Sequence, residues 1–127
     1  MVGISQQYAI KRTEMKKKEY PQRLGSITRA PTYLYYRGNI EIINQKQNIA
    51  VIGSRHISEK GMKIAYQIGY MLGERGINVV NGLALGCDTH VLHGVLAAGG
   101  NCVAVLPCGL EQIVPYSNCE LAKRLLL

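Results

Sequence analysis

Three apolar runs of strand length, "NIAVIG" at 48–53, "INVV" at 77–80 and "CVAVL" at 102–106, constrain this chain more than any other feature. Each is continuous rather than alternating, the pattern of a strand buried in a parallel sheet. Helical patterns fill the gaps between them. Ser58 is an N-cap candidate, Met62, Ala65, Ile68, Gly69 and Leu72 recur at three- and four-residue spacing, and Gly76 supplies the stop. Residues 88–100 give a second helix with Asp88 near its N-terminus, and 117–127 open a further one with Ser117 or Asn118 as cap. A β-α-β-α-β order implies parallel strands with right-handed crossovers and helices over the faces. The expected class is α/β, a doubly wound, mainly parallel sheet. Such a sheet normally continues where this chain stops inside a helix, so it is expected to be incomplete at its C-terminal end.

Charge divides the chain differently. Residues 1–37 carry eight basic side chains, including Lys16, Lys17, Lys18 and Arg37, against Glu14 and Glu19, a net of +6. Residues 38–127 carry seven basic against six acidic, a net of +1. The expected organisation is a basic lead-in segment over 1–37 and the α/β core over 38–127. A basic segment beside a neutral core attracts a polyanion, and it is equally the composition of a solvated terminus; charge alone leaves both open. Within the lead-in, "TYLYYRG" at 32–38 is rich in β-formers and reads as a short edge strand.

In an open parallel sheet, ligands bind beyond the carboxyl ends of the strands. Three loops lie there. In "GSRHIS" at 53–58, Gly53 permits a tight turn, Ser54 offers a hydroxyl, Arg55 offers a fork of donors, and free amides open the next helix. In "NGLALGCD" at 81–88, Gly82 and Gly86 allow close backbone approach, and "PCGL" at 107–110 is the third. Neither GxGxxG nor GxxxxGK[ST] is present, so the loops suit capture of a phosphodiester without chemistry. Gly61, Gly69 and Gly94 read as geometric. Asp88 either satisfies amides at a helix start or contacts a ligand, and His93 reads as a packed histidine rather than a general base. His56 and His90 read as solvent-facing. The spacing of Cys87, Cys102, Cys108 and Cys119 matches no zinc pattern, so neither a metal nor a cofactor is expected. No secretory signal or membrane-length apolar run stands out, and a cytoplasmic protein with reduced thiols is expected.

Taken together, "YPQRLGSI", "APTYLYYRGN", "IAVIGSR", "VNGLALGCDTHVLHGVLAAGG" and "VAVLPCGLEQIVPYSN" resemble, in order over about residues 20–121, the Rossmann-like core of the DprA/Smf family. The resemblance implies a non-catalytic single-stranded DNA-binding protein that acts in DNA uptake during natural transformation and in recombination, passing DNA to the RecA recombinase. It places the family's phosphate-binding "GSR" on Gly53, Ser54 and Arg55, its "GLAxGxD" on Gly82, Leu83, Ala84, Gly86 and Asp88, and its helix histidine on His93. Lys16, Lys17, Lys18 and Arg37 are expected as secondary basic contacts. Asn81, Pro107 and Glu111 depart from the family's usual serine, glycine and aspartate. The family's core also continues into an "RNR" segment that helps close the DNA pocket and lies where members self-associate. A homodimer is therefore left open. The alternative is a nucleotide-binding enzyme of the related phosphoribohydrolase type, whose "PGGxGTxxE" run has no counterpart here.

Overall fold

The computed structural model describes residues 8–127. The chain divides into two compact units, one reaching to Gln45 and one beginning at Lys46. That division falls later than residue 37, where the charge changes.

The second unit is built on a three-stranded parallel sheet in the order β3 (Asn48–Ala50), β4 (Asn78–Asn81), β5 (Cys102–Ala104). Two helices cross between its strands, α3 (Glu59–Glu74) and α4 (Cys87–Ala97). These are the three apolar runs and the two helical patterns, with strands shorter than the runs. Beyond Ala50 the ladder still holds Val51, whose N–H donates to Val80 O at 3.1 Å. Ser58 caps α3 by accepting from the Gly61 N–H at 3.1 Å. Gly76, just past its end, takes φ of +67°, the left-handed turn that lets the chain reverse into β4.

Helices α3 and α4 pack on each other through glycines. A Cβ on Gly69 would run into the carbonyl oxygen of Val91, and one on Gly94 into that of Tyr66, so backbones meet where side chains would otherwise hold them apart. The core lies beneath them, with Ala65, Leu72, Val79, Val91, Leu92, Val95 and Cys102 all buried. Leu121 joins it from α5 (Cys119–Leu125), which follows a 3-10 turn at Tyr116–Asn118. Ser117 and Asn118 thus sit in that turn. Ile52 and Val105, just past the ends of β3 and β5, are largely exposed.

The first unit holds an antiparallel ribbon of β1 (Lys11–Glu14) and β2 (Tyr33–Tyr36), with two single-turn helices, α1 (Gln22–Gly25) and α2 (Ile42–Gln45). Its small core centres on Tyr20, Thr13 and Ile40. Asn44 ties the unit together, its amide donating to Tyr20 O at 3.0 Å and its carbonyl accepting from the Gln22 N–H at 3.0 Å. The strand expected near residues 32–38 is present; its partner, Lys11–Glu14, lies in what reads from sequence as a polar lead-in. No described helix is long and apolar enough to cross a membrane.

Candidate functional site

The loops after β3 and β4 lie against each other at the carboxyl end of the sheet. The Cys87 N–H donates to Ser54 O at 3.0 Å. A Cβ on Gly53 would stand 2.7 Å from both Cβ and Sγ of Cys87, and a Cβ on Gly86 would collide with the carbonyl oxygens of Ser54 and Arg55. Gly86 also has φ of +80°. Both glycines therefore serve first to let one loop touch the other. Ser54 is likewise engaged within its own loop: its hydroxyl donates to His56 O at 2.8 Å and accepts from the His56 N–H at 3.2 Å.

Four of the predicted site residues form the frame of the second loop. Asp88 is buried, and its Oδ2 accepts from the Gly82 N–H at 3.0 Å and the Ala84 N–H at 3.4 Å. The carboxylate thus fills the amide concavity from within, at the loop rather than at the orphan amides of the helix start. Leu83 is fully buried with φ of +58°, a region costly for a side chain of its size. Two asparagines hold it there. Its N–H donates to Asn81 Oδ1 at 3.1 Å, and its carbonyl accepts from Asn118 Nδ2 at 2.9 Å. Asn118 also donates to Thr89 Oγ1 at 2.9 Å, and Thr89 in turn donates to Ala84 O at 2.6 Å.

Asp88 satisfies two amides of the second loop, and the first loop carries open donors of its own. The amides of Gly53, Ser54 and Arg55 find no acceptor among the described residues, and all three residues are exposed. Arg55 makes no hydrogen bond or ion pair among the described residues, so the loop does not hold its guanidinium in place. This gives three free N–H groups and one cation at the mouth of α3, a set that suits an anion. Burial, then the neighbouring Asp88 charge, pushes the Cys87 thiol up, and burial pushes Cys102 up to about 12. His93 is half-buried on α4 with its Nδ1 3.4 Å from an Arg124 nitrogen; desolvation first, then Arg124 and His90, holds it below the ordinary histidine range. His56 is exposed and His90 half-buried. In the third loop, Cys108 Sγ bonds to Gln112 O at 3.3 Å. Among the described residues no group of three His, Cys, Asp or Glu side chains gathers as a metal site.

Lys16, Lys17, Lys18 and Arg37 belong to the first unit. The three lysines are exposed in the turn after β1, where Lys17 and Lys18 line an open hollow of about 390 Å³ with Met15, Tyr20 and Gln22. Arg37 is half-buried, its Nε shielded without a hydrogen-bond partner among the described residues.

The sequence pattern of the DNA recombination-mediator protein A family matches residues 11–127. The chain belongs to this family. Among relatives within the DprA/Smf group, DNA processing protein DprA of Streptococcus pneumoniae is 36% identical over 99 residues, covering 78% of this chain and 34% of that protein. Protein Smf of Escherichia coli is 34% identical over 107 residues, covering 84% and 28%. The chain thus spans about a third of the length of the relatives it matches. The crystal structure of the S. pneumoniae DprA superposes with a TM-score of 0.80 at 32% identity, over 91% of this chain and 40% of that one. DNA processing protein A of Helicobacter pylori, described as having a unique single-stranded DNA binding mode, superposes with a TM-score of 0.77 at 21% identity, over 94% and 52%. These likenesses fit the Rossmann-like α/β class.

Asn81, Thr89 and Asn118 escape a reading of the sequence as site residues. Asn118 reads there as a helix cap, yet its amide reaches back to Leu83, and no local spacing announces a contact across that separation. Asn81 carries a weak signal, being the polar residue that ends an otherwise apolar strand.

Proposed function

We propose that this chain binds single-stranded DNA through its phosphates at the first loop, with Arg55 and the amides of Gly53, Ser54 and Arg55 as the contacts and no bond made or broken. The observation that carries the reading is the exposed, unpaired Arg55 beside three open amides, at the sheet end where α/β folds bind ligands. In this account Gly82, Leu83, Ala84, Gly86 and Asp88 shape the floor on which the first loop rests. Lys16, Lys17, Lys18 and Arg37 add diffuse attraction to the strand. Family membership supports a DNA ligand, and the H. pylori relative is described as a single-stranded DNA binder. A role in DNA uptake and delivery of the bound strand to RecA, in the cytoplasm, rest on the same family resemblance.

Isothermal titration with a short oligo-dT and, separately, with AMP tests the reading. Binding of the oligonucleotide with little heat from AMP is the expected result. A preference for AMP favours a nucleotide-handling enzyme, and no heat from either removes the proposed ligand.

A further inference from the structure

The β1–β2 ribbon presents an aromatic and basic face that the first-loop site does not use. Strand alternation puts Arg12 and Glu14 on the same face as Tyr33 and Tyr35, and the register pairs Arg12 with Tyr35 and Glu14 with Tyr33. The opposite face is spent on packing: Thr13 is buried and Leu34 half-buried. Tyr33 is 49% exposed and Tyr35 65% exposed, on a ribbon that has no third strand among the described residues. The two rings are in different situations. The Arg12 guanidinium lies 4.8 Å from the centroid of Tyr33, which restrains that cation on the ribbon surface. No such cation is found over Tyr35 among the described residues, so its ring is the open platform.

Resting on the single-stranded DNA reading above, we infer that Tyr35 is a base-stacking platform and Arg12, held over Tyr33, the phosphate contact beside it, making this ribbon a second nucleic-acid contact. A flat exposed ring suits any unpaired base, because every base has a π-face, and a cation beside it meets the backbone that links successive bases. Charge complementarity runs the same way. Up to Gln45 the chain carries eight basic residues against Glu14, Glu19 and Glu41, a net of +5. Arg12, held over Tyr33, offsets the charge of Glu14 at that end of the face and leaves the neighbouring Tyr35 ring open to a base. Duplex DNA keeps its bases paired and stacked, so the platform contributes nothing there.

The test uses the whole chain with labelled oligo-dT and with a duplex of equal length, read by fluorescence anisotropy. Tyr35→Ala weakens oligo-dT binding about 5- to 10-fold, the lower part of the range for removal of one base–aromatic stack. Tyr35→Phe, which keeps the ring, restores it, and duplex affinity is the same for all three proteins. Because the chain has no tryptophan, Tyr35→Trp supplies a single indole whose emission is quenched as the oligonucleotide binds. If oligo-dT binds all variants equally and the Y35W indole is unchanged at saturation, the platform is wrong while the first-loop reading stands. That result also fits a face kept for a protein partner. If the parent chain binds no oligonucleotide, both readings fall together.

Discussion

A single buried carboxylate occupies part of the second loop. Asp88 satisfies the amides of Gly82 and Ala84 that a sequence reading offers to a ligand, and the proposed anion contact is the neighbouring Gly53–Arg55 turn. The left-handed Leu83 is the strained point of that arrangement, and Asn118 is the side chain that satisfies its carbonyl. Asn118→Ala strands this buried oxygen and removes the donor to Thr89 Oγ1, so it should lower stability by about 1–3 kcal/mol, seen as a lower urea midpoint with an unchanged slope. His93 gives the residue scale its pH dependence. Its folded pKa lies below the ordinary value, so the unfolded chain binds the proton first as pH falls. Its contribution is fully present above about pH 6.5, the unfolded value, and is lost as pH drops from there through the folded pKa. Thermal melts from pH 7.5 to 5 should show a decline that His93→Gln reduces; an identical decline in the variant would remove His93 as its source.

Among the elements, the helix pair is the part most dependent on small residues. Gly69→Ala sets a methyl group against the Val91 carbonyl oxygen, which only a shift of α4 relieves. A cost of roughly 1–3 kcal/mol is expected from such overpacking, despite alanine's better helix propensity, and thermal melting would reveal it. These elements are also the most legible in the sequence. Continuous apolar runs and three-to-four spacing are local signals, and Ser58, Gly76 and the three parallel strands follow from them. The β1 strand is not legible, because "KRTE" is polar and becomes a strand only through pairing with Tyr33–Tyr36. The same limit hides the site's inner frame. Glycine positions are evident, but whether Gly53 and Gly86 face a ligand or each other's loop depends on contacts between segments about thirty residues apart in sequence.

On the scale of the whole molecule, the proposed binding combines one short-range contact with a diffuse field. The first role falls to Arg55, exposed at the sheet end, and the second to the exposed charges of Lys16, Lys17 and Lys18. Salt should distinguish them. The most direct measurement is oligo-dT affinity across a salt series for the parent, for Arg55→Ala and for the triple change of Lys16, Lys17 and Lys18 to Gln. Arg55→Ala is expected to bind about tenfold more weakly, near the lower end of the roughly 1.5–3 kcal/mol of a charge-assisted hydrogen bond, because the loop does not restrain the guanidinium. The triple variant should mainly flatten the salt dependence, by about 0.7 in slope for each single-strand phosphate that is no longer neutralised. The account is contradicted if Arg55→Ala binds like the parent at every salt concentration.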